Sequence, residues 1–207
     1  MKPSLQFYID VSGQPKKDIY IGLISVQGFD MTNILKNVKR KFPWFFHRRS
    51  KGSSLDFNQL KSIISLLNGI GVKMICLHFK GKEWDTLINY CGKDRPFNFE
   101  RIFAALYFST LKKFSKENNI YPVTVCVETF MNIDKTISYL KKIANAHKID
   151  YQISKTQVKY NEMLKLSDAV AAFGRKYTNP EKLGYESFKL IGVDTDILKY
   201  YLNVIKK

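Results

Sequence analysis

The chain opens on an alternation of apolar and polar positions. Leu5, Phe7 and Ile9 fall on one face of an extended run over residues 5 to 10, and Tyr8 and Asp10 fall on the other. A second extended run covers 18 to 27. The "VSGQPKK" between them carries the turn residues Gly13 and Pro15, so the two runs predict an antiparallel hairpin with Asp10 at the end of its first strand. The period then becomes helical over 31 to 41 and again over 56 to 68, where Asp56 can begin a helix and the glycines of "NGIG" end it. "VKMICLHF" at 72 to 79 reads as a buried strand. "FERIFAALYFSTLKKF" sets Phe99, Ile102, Phe103, Leu106, Tyr107, Leu111 and Phe114 at helical spacing, the clearest helix in the chain. In "YPVTVCVETF" a strand over 122 to 128 puts Val123, Val125 and Val127 on one face and Cys126 and Glu128 on the other. A helix over 133 to 147, an extended run over 150 to 159, a helix over 161 to 177 and a short helix over 194 to 205 complete the pattern.

Strands that first pair as a hairpin and later alternate with helices predict an α/β fold, a mixed sheet flanked by helices on both faces. At 207 residues with 45% hydrophobic composition, the length suits one domain spanning 1 to 207. No apolar run approaches the roughly 20 residues of a membrane-spanning helix, and "MKPSLQFYID" enters a strand without a signal-peptide pattern. The expectation is a cytoplasmic protein that does not engage membranes. Cys76, Cys91 and Cys126 show no CxxC spacing and read as reduced core residues.

Charge changes the picture. Lys and Arg number 34 against 18 Asp and Glu, a formal net charge of +16, which favours polyanionic partners such as DNA or RNA. From Met31 to Leu55 there is no acid, while Lys36, Lys39, Arg40, Lys41, Arg48, Arg49 and Lys51 surround "FPWFFH". Basic side chains beside aromatics can grip a phosphate backbone and stack bases. The same Phe42, Trp44, Phe45 and Phe46 also suit a core.

Asp10, Glu128 and Asp168 are the acids placed to converge: two on strands and the third in "LKLSDAVAAFGRKY". Taken singly, Asp10 suits a turn, Glu128 a solvated strand end, and Asp168 a helix surface paired with Lys165 or Arg175. Taken together they suit hard divalent ions, Mg²⁺ or Mn²⁺ in a two-ion site, which prefer oxygen ligands and assist phosphodiester cleavage. Ala171 and Ala172, three and four residues beyond Asp168, leave its helix face small enough to approach a sheet closely.

Four local words, in this order, resemble a poorly characterised branch of the ribonuclease H-like superfamily whose first strand ends in an Asp-Glu-Ser-Gly word. They are "YIDVSG" (8 to 13), "SKGSSL" (50 to 55), "VCVET" (125 to 129) and "LKLSDAVAAFGRK" (164 to 176), and they span residues 5 to 177. The resemblance implies a ribonuclease H-like fold in which Asp10, Glu128 and Asp168 are catalytic and hold the ions, and it suggests a nuclease that trims single strands, an exonuclease. Val11 stands where the family word has Glu, Glu128 where it has Asp, Lys165 where it has Gln, and no Glu precedes Lys51. A fourth ligand is then open, with Glu100 and Glu83 as candidates. Arg48, Arg49, Lys51, Lys165 and Arg175 are the expected nucleic-acid contacts. The rival readings are a nucleic-acid-binding module on the same fold without catalysis, and a protein scaffold whose basic charge serves solubility.

Overall fold

The computed structural model describes residues 5–27, 30–47, 51–93, 95–118, 124–128, 132–157, 161–177 and 184–206. Among these residues the strands are β1 (Leu5–Gly13), β2 (Ile19–Gln27), β3 (Lys73–Phe79), β4 (Thr124–Glu128), β5 (Gln152–Thr156) and β6 (Phe188–Gly192). Its α-helices are α1 (Asp30–Lys41), α2 (Phe57–Gly69), α3 (Trp84–Cys91), α4 (Asn98–Asn118), α5 (Ile133–Ala146), α6 (Glu162–Lys176) and α7 (Thr195–Lys206), with short 3₁₀ turns at Pro43–Phe46, Gly52–Ser54 and Gly81–Glu83. The strands form one sheet in the order β5-β4-β1-β2-β3-β6. β1, β2 and β3 are antiparallel neighbours, whereas β4, β5 and β6 join in parallel.

The alternation read from the sequence sets the two faces. Phe7, Ile9, Ile21, Leu23, Ile75, Leu77, Val125 and Val127 pack with the apolar sides of α4, α5 and α7. Tyr8, Tyr20, Ile24, Met74, Cys76 and Cys126 face α6, with α1 and α2 outside it. Asp56 caps α2 by accepting the Gln59 N–H at 2.8 Å. The three cysteines are buried free thiols. Phe42 and Phe45 are buried and Trp44 and Phe46 partly so, in the same cluster as α6, which makes "FPWFFH" core and not a stacking platform.

Three features differ from the expected pattern. β1 runs to Gly13, so Asp10 lies inside the hairpin, opposite Gly22; it is the parallel pairing with β4 that stops at Ile9. The five-residue β6 and the eight-residue α3 are too short to impose a period on their segments, and both form in tertiary context. Residues 122 and 123 of the expected fourth strand and 158 and 159 of the fifth lie outside the described residues.

Every residue of α6 from Met163 to Gly174 is buried, and glycines make room for it. A Cβ added at Gly22 would lie 2.1 Å from the Ser167 carbonyl oxygen and 2.6 Å from the Ala171 nitrogen; one at Gly174 would lie 2.2 Å from Cys76 Sγ. The Ser167 hydroxyl donates to the Tyr8 carbonyl at 2.9 Å and fixes the helix along β1.

Gly22→Ala should therefore destabilise the fold by about 3 kcal/mol, since the methyl meets backbone that cannot swing aside. Gly69→Ala, where a Cβ meets nothing within 4 Å, should be neutral or stabilising by up to about 1 kcal/mol. Urea unfolding of the two variants checks the contrast.

Candidate active site

Parallel pairing of β1 with β4 ends at Ile9 opposite Val127, so the next residue on each strand, Asp10 and Glu128, emerges side by side at the end of the sheet. The seating of α6 brings Asp168 to the same place. Its Oδ2 accepts the Gly52 N–H at 2.6 Å, and Gly52 is itself so close to the helix that a Cβ there would lie 2.7 Å from the Asp168 carbonyl oxygen. All three acids line one cleft of about 700 Å³, whose other walls include Ser12, Lys17, Tyr20, Lys51 and Arg175.

Two of these acids are out of water, and all three act on one another. Asp10 is 1% exposed and Asp168 8%, and Asp10 Oδ1 is buried without a hydrogen-bond partner. Burial pushes the Asp10 carboxyl well above its ordinary range; its hydrogen bond with Glu128 and the charges of Asp168 and Glu128 push the same way, against a bond from the Val11 N–H. Burial also raises Asp168, and the Glu128 charge adds to this, while the Gly52 N–H, a hydrogen bond with Asp10 and Lys51 oppose it. Burial and the two neighbouring acids thus favour the protonated form of Asp10. Beneath it, on α4, the Tyr107 hydroxyl is fully buried without a partner, and burial together with the Asp10 and Glu128 charges pushes its pKa up.

Orphaned carboxylate oxygen and mutual repulsion are what an oxygen-preferring cation relieves, so the donor set fits Mg²⁺ or Mn²⁺. Among the described residues, no three acid, histidine or cysteine side chains are already spaced to hold an ion.

Of the other expected site residues, Lys51 and Arg175 line the cleft. Arg48 and Arg49 lie outside the described residues. Lys165 does not face the cleft as a substrate contact: it is 3% exposed and its ammonium donates to the Phe46 and His47 carbonyls at 3.1 and 2.6 Å, tying α6 to the preceding layer. Glu100, in the first turn of α4, is 8% exposed, accepts from Asn132 at 2.9 Å, and lines a smaller pocket together with Glu128 and Val11. Glu83 instead takes the Thr195 hydroxyl at 3.1 Å. Sequence reading missed Lys17 and Tyr20, which reach the cleft from the far end of the hairpin, and Gly22. A glycine inside a β-branched strand is the signal that could have found the last.

No family model matches this chain, and no curated protein does. Solved structures do match. The ribonuclease H2 of Pyrococcus horikoshii OT3 aligns with a TM-score of 0.57 at 15% identity, over 88% of this chain and 76% of that one. A mutant Bst-RNase HIII gives 0.58 at 13%, over 88% of this chain and 55% of that one. The ribonuclease HII of Archaeoglobus fulgidus, solved with PCNA, gives 0.53 at 11%, over 88% and 80%. A mixed six-stranded sheet with its antiparallel hairpin and helices on both faces, shared with these enzymes, makes this a ribonuclease H-like fold.

Proposed function

We propose that this chain is a divalent-metal-dependent nuclease that hydrolyses phosphodiester bonds of nucleic acid, with Asp10, Glu128 and Asp168 as its catalytic acids. The observation that carries this reading is the meeting of three acids from β1, β4 and α6, two of them nearly fully buried, in one cleft edged by Lys51 and Arg175. Buried acids set against one another cost stability, and such a cost is characteristically retained at functional sites. Bound Mg²⁺ or Mn²⁺ supplies water activation and neutralises charge on the phosphate and leaving oxygen. Asp10 interacts with both of its acidic neighbours, and Asp10, Glu128 and Asp168 are the residues that would hold the ions. The Gly52 N–H keeps Asp168 turned toward the cleft. Lys51 and Arg175 draw the phosphate backbone in and orient it.

Val11 favours a second reading, a binding module on the same fold without catalysis, because an apolar side chain follows Asp10 where the resemblance leads one to expect an acid. Glu100 answers it. α4 brings its carboxylate to the pocket lined by Val11 and Glu128, so a fourth acid is available from a different element. Trimming from an end, as a single-strand exonuclease does, is the narrower form of the proposal. A strand labelled at either terminus distinguishes it from internal cleavage by whether mononucleotides or fragments appear first.

Asp10→Asn should lower cleavage in Mg²⁺ or Mn²⁺ by orders of magnitude while nucleic-acid binding survives, because asparagine keeps the shape and loses the charge. Gel assays with EDTA controls measure this, and cleavage unchanged in the variant would remove Asp10 from the mechanism.

Folding with a raised Asp10 pKa favours the protonated form. Its contribution to stability is therefore complete below the unfolded pKa of about 4 and is lost as pH rises through the folded value. In EDTA, the wild-type Tm should fall as pH is raised from about 4 toward neutrality, and Asp10→Asn should flatten that fall. Mn²⁺ at neutral pH should raise the Tm of the wild type more than that of the variant.

Lys51→Ala with Arg175→Ala should weaken binding and reduce the slope of log affinity against log salt by roughly 0.7 to 0.9 for each phosphate contact removed. An unchanged slope in a fluorescence titration places the backbone contacts elsewhere.

A further inference from the structure

Three cavities meet at this end of the sheet. The polar cleft on the α6 side shares Val11, Gly13 and Glu128 with a pocket of about 300 Å³ on the α4 side. That pocket is walled by Phe99 and Phe103, with Glu100 at its edge, and it shares Phe99 and Glu100 with a groove of about 840 Å³ bordered by Lys16, Lys93 and Arg95 and by one further acid, Asp85. Glu128 therefore stands on a divide, with a basic-rimmed polar cleft to one side and an aromatic pocket opening to a second basic groove on the other. Phe97 marks the second groove. It is a large exposed aromatic, 37% accessible, held at a φ of 61°, which bulky side chains rarely adopt, with the Lys135 ammonium 5.2 Å from its ring centroid.

The ligand this arrangement fits has a flat apolar body, N–H donors at its edge and negative charge on either side. Phe99 and Phe103 offer the apolar walls; Glu100, oriented by Asn132, offers an acceptor to an exocyclic amino group; Lys51 and Arg175 before the divide, and Lys93 and Arg95 beyond it, match flanking phosphates. A base within a duplex has both faces covered by its neighbours and cannot enter such a pocket, whereas an unstacked base can. We infer that the Phe99/Phe103 pocket holds one unstacked nucleobase of a single strand whose backbone runs from the Lys51 cleft, past the acids, to the Lys93/Arg95 groove. This inference rests on the nuclease reading for the identity of the ligand and adds to it the strandedness of the substrate.

The test uses the wild-type protein in EDTA, so that binding is read without cleavage. Fluorescence anisotropy compares a single strand of about 12 nucleotides, a strand of equal length built wholly of abasic units, and the same single strand in a duplex. The single strand should bind about tenfold more tightly than the abasic strand and more tightly than the duplex. Phe99→Leu, which keeps apolar volume and removes the ring, should erase the difference between intact and abasic strands. Lys93→Ala with Arg95→Ala should weaken single-strand binding about tenfold and leave the duplex unchanged. Equal affinity for intact and abasic strands, or for single strand and duplex, would overturn the inference, and because this comparison needs only the wild type it stands even if a variant fails to fold. Base-dependent binding without cleavage in Mn²⁺ would sink the nuclease reading and keep the pocket; cleavage without base dependence would do the reverse.

Discussion

Contact between the backbone of α6 and that of β2 at Gly22 is the constraint on which the rest depends. A helix separated from a sheet by ordinary side chains would hold Asp168 too far from the strand acids to share anything with them. Removing the side chain at Gly22, and keeping Ala171 and Gly174 small, lets α6 settle until its Ser167 carbonyl and Ala171 nitrogen meet the strand. The helix is then held from both sides: Ser167 to the Tyr8 carbonyl beneath it, Lys165 to the Phe46 and His47 carbonyls and Lys176 to the Leu55 carbonyl outside it. Gly22 is also the cross-strand partner of Asp10. The closest approach of helix to sheet and the acid site are therefore the same place.

That seating creates an electrostatic problem as well as a site. Net charge of +16 does little to relieve it, since exposed charges beyond about 10 Å are screened by salt while the buried acids act on one another in poor solvent. Relief comes from near neighbours. The Gly52 N–H and Lys51 stabilise the charge on Asp168, whereas Asp10 has only the Val11 N–H against the burial and the two neighbouring acids. A proton on Asp10 is one solution; in the proposed nuclease a cation would be the other, and metal binding, pH and fold stability would then be linked through the same carboxyl.

Alternation and helical period were enough to place the hairpin, β3, β4 and the long helices, because each buries a face continuous enough to leave a period. β6 and α3 left no such trace: Phe188–Gly192 gains strand structure by pairing with β3, and Trp84 anchors α3 through its rings and its indole N–H, bonded to the Lys17 carbonyl at 2.9 Å. The three acids were legible as strand-end and helix residues, and the small Ala171/Ala172 face foretold the close approach. Lys165 shows the limit of that reading. A lysine three residues before Asp168 shares its helix face and looks like a phosphate contact, yet its ammonium is taken up by two backbone carbonyls of the preceding layer. Lys17 and Tyr20 escaped notice because the hairpin's length, and not any local motif, carries them to the cleft.

Val11 is the departure that connects the two sides of the sheet end. Adjacent residues of a strand point to opposite faces, so Asp10 belongs to the α6 side and residue 11 to the α4 side. An acid at 11 would have put charge into the pocket walled by Phe99 and Phe103; valine makes that wall apolar. Glu100, one helical turn before Phe103 and Ala104, brings a carboxylate to the same pocket from the element that also supplies the aromatic walls. With valine at 11, charge gathers toward the cleft and apolar surface faces the pocket, and Glu128 lines both. In the single-strand complex inferred above, an unstacked base would meet the apolar side and the backbone the charged one.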